Sequence, residues 1–275
     1  MKQAALSIEQ LAIGYRHKVV ARGLNAELGH GSMTCLLGAN GVGKSTLLRT
    51  LAGFQPPLEG HIYLEGHDVR SISRRQRARQ VAVVLTQRAD ATGLTVEELV
   101  GLGRSPYTGF WGTLGDTDRD VVQRALLLTG IGGLEHRRAD SLSDGEQQKV
   151  MIAKAIAQQT PVILLDEPTS FLDFNSRIEL LLLLSRLAHE EQKTILLSSH
   201  DVQLAMQLAD MLWLLSDSHQ LTVGTPRQLA DSGALGTMLQ RDNVEFNPHD
   251  FTLRVHNVPQ EPGKGPERVS EGKEY

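Results

Sequence analysis

The run Gly38-Ala39-Asn40-Gly41-Val42-Gly43-Lys44-Ser45-Thr46 constrains this chain more than any other stretch. Its glycines permit a tight turn whose backbone N–H groups face inward, and a helix opening at Ser45 adds the positive end of its dipole. Lys44 brings a cation to the same point and Ser45 a hydroxyl suited to a divalent metal, which is the Walker A pattern for cradling phosphates. The apolar residues Ser32–Leu37 predict a strand leading into the loop, and a helix is predicted from Ser45 to about Ala52. Those flanks separate the run from an ordinary glycine turn beside an exposed lysine.

Further strands are predicted at Leu6–Ile13, Val19–Leu28, His61–Leu64, Val81–Thr86, Val162–Leu165 and Thr194–Ser198. Helical spacing covers Thr95–Leu102, Thr117–Thr129 with Asp116 as cap, Glu146–Gln158 and the leucine-faced Ser176–Glu191. Such alternation implies a parallel sheet covered by helices, with ligands beyond the carboxyl ends of the strands. The 275 residues are 40% hydrophobic and 22% charged, which excludes a disordered chain. A net charge of −4 argues against a protein that coats nucleic acid. The leucine run Leu180–Leu184 is far shorter than the roughly 20 apolar residues of a spanning helix. The N-terminus lacks the apolar stretch of a signal peptide, so a cytosolic chain is expected. Cys35 falls within a strand and is expected to be a small core residue. From residue 256 onward, prolines, glycines and charges predict a flexible tail, 256–275.

Val162-Ile163-Leu164-Leu165-Asp166-Glu167-Pro168 is a buried strand ending in two carboxylates, the form of a Walker B segment. Asp166 would hold a magnesium shell, and Glu167 would polarise a water for in-line attack on a γ-phosphate. An acidic pair after a strand, taken alone, is more often a helix cap or surface turn. Its pairing with the glycine loop favours catalysis.

Leu142-Ser143-Asp144-Gly145-Glu146-Gln147-Gln148, shortly before that strand, resembles the signature motif of ATP-binding cassette proteins. The order of the other motifs agrees with that family. Gln87 falls where the family has its Q-loop glutamine, Ser170-Phe171-Leu172-Asp173 resembles the D-loop, and His200 resembles the switch histidine. Tyr15 sits where an aromatic stacks on adenine. One departure is Asp144, where the family usually has glycine; a carboxylate beside a triphosphate costs free energy unless it points outward, and in the first helical turn it favours the dipole.

The resemblance implies an α/β fold: a P-loop NTPase core with a parallel sheet, an N-terminal antiparallel β-subdomain and an inserted α-helical subdomain at about 88–158, all within residues 1–255. It implies ATP and Mg2+ as cofactors, with Tyr15, Gly38, Ala39, Asn40, Gly41, Val42, Gly43, Lys44, Ser45, Thr46, Ser143, Gly145 and Glu146 binding nucleotide. Ser45, Gln87 and Asp166 would hold the metal, and Glu167, His200 and Gln87 would serve catalysis. Two chains would close head to tail around two ATP molecules. The segment Gly103-Arg104-Ser105-Pro106-Tyr107-Thr108-Gly109-Phe110 is similar to that of iron-siderophore, haem and vitamin B12 importer ATPases. An ATPase subunit on the cytoplasmic face of the membrane is therefore expected, partnered by integral permease subunits and indirectly by a periplasmic binding protein, without nucleic acid. Its substrate would be a metal chelate, a ferric siderophore first, with haem or cobalamin as alternatives. Residues 104–110 would lie at the surface meeting the permease, as Gly/Pro loops usually do. The alternative is a soluble cassette acting in DNA repair or translation.

Overall fold

Both faces of the central sheet are buried, because its strands alternate apolar residues between two cores. A computed structural model describes residues 3–15, 18–85, 92–109, 112–170, 172–239 and 244–255. Gln87, Phe110, Phe171 and the 256–275 segment lie outside those residues.

The strands run in order β1 Leu6–Tyr15, β2 Lys18–Leu28, β3 Met33–Leu37, β4 Glu59–Leu64, β5 His67–Asp68, β6 Val81–Val84, β7 Val162–Leu165, β8 Thr194–Ser198, β9 Met211–Leu215, β10 Leu221–Gly224, β11 Val244–Asn247 and β12 Thr252–Val255. The α-helices are α1 Lys44–Leu51, α2 Arg74–Ala78, α3 Val96–Gly101, α4 Asp116–Leu128, α5 Asp144–Ala157, α6 Phe174–His189, α7 Val202–Leu208, α8 Pro226–Asp231 and α9 Ala234–Leu239.

The main sheet has the order β10-β9-β3-β8-β7-β6, parallel except for the β9–β10 hairpin. A second sheet, β2-β1-β4-β5, is antiparallel. Along β3, β7 and β8 the side chains divide by a period of two. Cys35, Leu37, Ile163, Leu165, Ile195 and Leu197 join the core under α6 and α7. Leu36, Leu164 and Leu196 join the core shared with α1 and the antiparallel sheet. Each buried Leu or Ile contributes roughly 1.5–3 kcal/mol, which is why continuous apolar strands settle at the centre of such a sheet. Helices α3, α4 and α5 form a third core around Val96, Val122, Leu126 and Val150. The chain thus combines a mainly parallel sheet, an antiparallel sheet and a helical layer, as expected.

The order of the sheet sets the site. β3, β8 and β7 are parallel neighbours, with Leu36 opposite Ser198 and Leu165 opposite Leu197. Their carboxyl ends therefore deliver residues 38–46, 199–200 and 166–167 to one edge.

Two expectations need correction. Asp116 is the first residue of α4, and Gly115 is its N-cap. Asp118 closes that turn, its Oδ2 accepting from the Gly115 N–H at 3.2 Å. Arg104 is buried at 6% exposure, where a surface position was expected. Its guanidinium donates to the carbonyl of Ala157 and to Gln159 Oε1, each at 2.8 Å, and to Asp118 Oδ1 at 2.8 Å. A helix ends there with carbonyls to satisfy, and that demand outweighs the habit of Gly/Pro loops to lie outside. Cys35 is buried, and burial pushes its thiol up to about 12.

Candidate nucleotide site

The phosphate loop is shaped by positions where only glycine fits. Gly43 adopts φ 118°, and a Cβ there would stand 2.5 Å from Val20 Cγ1; Gly41 has φ 79°. At Gly38 the obstacle is Leu215, whose carbonyl oxygen would lie 2.4 Å from an added Cβ. Lys44 opens α1 and turns back over the loop, its Nζ donating to the Gly38 carbonyl at 2.8 Å and the Ala39 carbonyl at 3.0 Å. Burial pushes its pKa down, and the carboxylates of Glu167 and Asp166 oppose that shift. The ammonium is therefore a buried cation held close to two anions.

Ser45 and Asp166 meet across the loop and the end of β7, Ser45 Oγ donating to Asp166 Oδ1 at 3.0 Å. Ser198 Oγ donates to the same oxygen at 2.9 Å and accepts from the Glu167 N–H at 2.9 Å. One fully buried hydroxyl thus fixes both acidic residues. Ser198 was missed in the sequence, although a polar residue closing the apolar strand Thr194–Ser198 next to His200 was a usable signal.

Glu167 has φ 49°, the left-handed region, which costs a non-glycine residue about 1 kcal/mol or more. The turn aims its carboxylate at two partners. Oε1 lies 2.5 Å from His200 Nε2, and Oε2 accepts from Ser170 Oγ at 3.1 Å. Tyr15, 48% exposed, places its hydroxyl 3.0 Å from Thr46 Oγ1 at the far end of the loop. Tyr15, residues 38–46, Asp166, Glu167 and His200 are thereby brought together.

Ser143, Gly145 and Glu146 stand apart from them at the start of α5. Ser143 caps that helix, and Glu146 completes the capping box, accepting from the Ser143 N–H and hydroxyl at 2.9 Å each. Those hydrogen bonds hold the Glu146 carboxyl below its ordinary value. Among the described residues, no hydrogen bond of Ser143 or Glu146 reaches the phosphate loop in the same chain. Asp144 is exposed in the first turn of α5. Gly145 lies against Leu172, whose Cδ2 would be 3.7 Å from an added Cβ. Asp173, at the end of the same loop, caps α6 by accepting from the Ser176 N–H at 3.0 Å.

A buried lysine on a glycine loop, beside a hydroxyl–carboxylate pair at the ends of parallel strands, defines a nucleoside triphosphate site of the P-loop class. Residues 21–170 match the family described as ABC transporter. The chain is 38% identical over 239 residues to the achromobactin transport ATP-binding protein CbrD of Dickeya dadantii (strain 3937), covering 86% of this chain and 88% of that protein. It is 38% identical over 227 residues to the ferric enterobactin transport ATP-binding protein FepC of Escherichia coli (strain K12), covering 82% and 83%. A solved inward-facing metal-chelate type ABC transporter superposes with TM-score 0.75 at 28% identity over 94% of this chain and 98% of that one. A dimeric bacterial ABC cassette, 23% identical, shares the fold with TM-score 0.71 over 80% and 98%. The chain belongs to the ABC transporter family of ATP-binding subunits, which are ATPases coupled to transport.

Proposed function

We propose that this chain hydrolyses ATP to power import of a ferric siderophore through a separate membrane permease, from the cytoplasmic face of the membrane. The observation that carries the reading is the match, over more than four-fifths of both chains, to ATP-binding proteins named for achromobactin and ferric enterobactin transport. No helix among the described residues is long and apolar enough to cross a membrane, so a permease would have to supply the path. A periplasmic binding protein would deliver the chelate to that permease.

Within the site, Lys44 and the N–H groups of residues 38–46 bind the β- and γ-phosphates, and Tyr15 faces the adenine. Ser45 and Asp166 present a hydroxyl and a carboxylate 3.0 Å apart, the hard oxygen donors that suit Mg2+. Gln87 is proposed as a further ligand. The metal, when bound, neutralises charge on the phosphate oxygens. Glu167 takes the role of orienting and polarising the attacking water, and His200 and Ser170 hold its carboxylate in place. Ser143, Gly145 and Glu146 of a second copy cover the nucleotide, the capped start of α5 offering N–H groups to an anion. Residues 1–255 act as the ATPase domain and 256–275 as a tail.

Uptake of radiolabelled ferric siderophore by cells lacking this chain and its permease, restored by both together and not by either alone, tests the reading. Restoration without the permease, or purification with ribosomes or DNA in place of a membrane subunit, would overturn it.

A further inference from the structure

The two ends of α5 are held by different chemistry. At the far end Gln158 donates from Nε2 to the carbonyls of Ala78 at 2.6 Å and Val81 at 3.0 Å, which end α2 and open β6, so those ties involve no charge. At its start two carboxylates, Asp144 and Glu146, stand in the first turn. They complement the positive end of the helix dipole, yet they oppose the approach of a phosphate to the same turn.

Glu146 also occupies the donors that Ser143 has to offer. A hydroxyl carries one hydrogen, and that of Ser143 is directed at Glu146 Oε2 at 2.9 Å, where the Ser143 N–H donates as well, also at 2.9 Å. For the hydroxyl to donate to a phosphate it must leave Glu146. The carboxylate then keeps one hydrogen bond fewer and stands beside a second anion, a combination that becomes more costly as water is excluded.

A cation is placed to meet that charge. Arg137 Nη1 lies 3.7 Å from Glu146 Oε1, the oxygen that Ser143 does not use. With side-chain exposures of 49% and 33% the pair contributes little in the free chain, and covering it would remove the solvent that weakens it. Arg137 is held in that position from several sides. Its Nη2 donates to the Ser141 carbonyl at 3.3 Å, its backbone N–H to the Leu134 carbonyl at 3.0 Å, and its own carbonyl accepts from the N–H of Val96, the first residue of α3, at 3.0 Å. The neighbouring cations are engaged elsewhere, Arg138 with Asp140 at 2.6 Å and Lys149 with Glu179 at 3.4 Å.

We infer that Arg137 is a positioning residue for ATP hydrolysis: it holds and neutralises the Glu146 carboxylate while the Ser143 hydroxyl turns from Glu146 to the nucleotide of a second copy. The inference rests on the two-copy reading above and adds to it the residue that lets an acidic helix start meet a triphosphate. Among the described residues, the side-chain partners of Arg137 are Ser141 and Glu146, neither in the phosphate loop, so its effect on turnover must pass through Glu146.

The test uses the full-length protein carrying E167Q, in which slowed hydrolysis lets an ATP-bound dimer persist, and follows dimer formation by sedimentation over a range of protein concentrations. R137A should weaken ATP-dependent dimerisation about tenfold or more, as expected when a carboxylate facing an anion loses its partner. Affinity of the monomer for a fluorescent ATP analogue should stay within about twofold, because Arg137 does not touch that site. R137K, which keeps the charge but loses the forked geometry, should recover part of the loss. E146Q leaves no charge to neutralise, so R137A added to it should cost no more than about twofold. Equal losses from R137A with Glu146 intact and in E146Q would reduce Arg137 to a tie on the Ser141 carbonyl and overturn the inference. Unchanged dimerisation in R137A, or a parallel loss of ATP affinity and thermal stability, would overturn it too. Absence of an ATP-dependent dimer with Arg137 and Glu146 both intact would instead overturn the two-copy reading itself.

Discussion

Ser198 does more than its single hydroxyl suggests, because the residues it joins, Asp166 and Glu167, have separate proposed tasks. Replacing it with alanine leaves the Glu167 N–H without its partner at the end of a buried strand and removes one donor from Asp166. An unsatisfied buried donor costs about 1–3 kcal/mol, so S198A should lower the urea midpoint by a corresponding amount. Turnover should fall further than stability explains, since the left-handed turn at Glu167 loses one of its restraints. Chemical denaturation and steady-state hydrolysis on one preparation check both; wild-type turnover in S198A would remove Ser198 from the machinery. A second substitution separates holding the nucleotide from cleaving it. Glu167→Gln keeps the shape of the side chain and loses the charge that polarises water, so turnover should slow by about 100-fold or more while ATP still binds. Size-exclusion in ATP should then show a persistent dimer, and near-normal hydrolysis would move the catalytic role elsewhere.

Helix α4 begins where a charge pair joins it to the segment below α5. The hydrogen bond from Arg104, helped by the Gly115 N–H, holds the Asp118 carboxyl below the ordinary carboxylate value. A carboxyl with a depressed folded-state pKa contributes stability that is present above its unfolded value, near pH 4, and is lost as pH falls through the folded value. D118N should therefore be less stable than wild type at neutral pH, by roughly 1.5–3 kcal/mol, with the gap closing below about pH 4. Thermal melts of both proteins from pH 7 to pH 3 check this, and a gap independent of pH would reject the pair. Strands β7 and β8 were legible in the sequence with their bounds intact, because continuous apolar runs have no other way to satisfy both faces. Helix α2 was not: its residues Arg74-Arg75-Gln76-Arg77-Ala78 carry no apolar stripe, and only the Ser73–Gln76 capping box marks it. Strands β9 to β12 and helices α7 to α9 were likewise passed over. Arg104 was misplaced because its partner carbonyls belong to a helix some 50 residues away, information that a loop's composition does not contain.

Taken whole, the molecule lays a helical layer beside a core whose sheet order brings the site residues together. The phosphate-loop segment and the Asp166–Glu167 pair were legible as residues because their patterns are local, and the motif order suggested that they meet. The ties from α5 to α2 and β6 had no such pattern, since carbonyl groups accept them and any sequence supplies carbonyls. The sheet order also governs how the protein is made. Strand β3 leaves the ribosome early, yet its two neighbours, β8 and β9, come about 160 and about 180 residues later. The antiparallel β1–β2 hairpin can close as soon as it is synthesised, whereas the strand feeding residues 38–46 must wait, its apolar edges unpaired, until residue 215 has emerged. A nascent or truncated chain ending before residue 194 lacks both strands that flank β3, and one ending before residue 211 still lacks β9. The shorter chain would carry the full Gly38–Thr46 run without the strands that flank its feeder, and truncation there is expected to abolish nucleotide binding, as equilibrium binding to a truncated chain would measure.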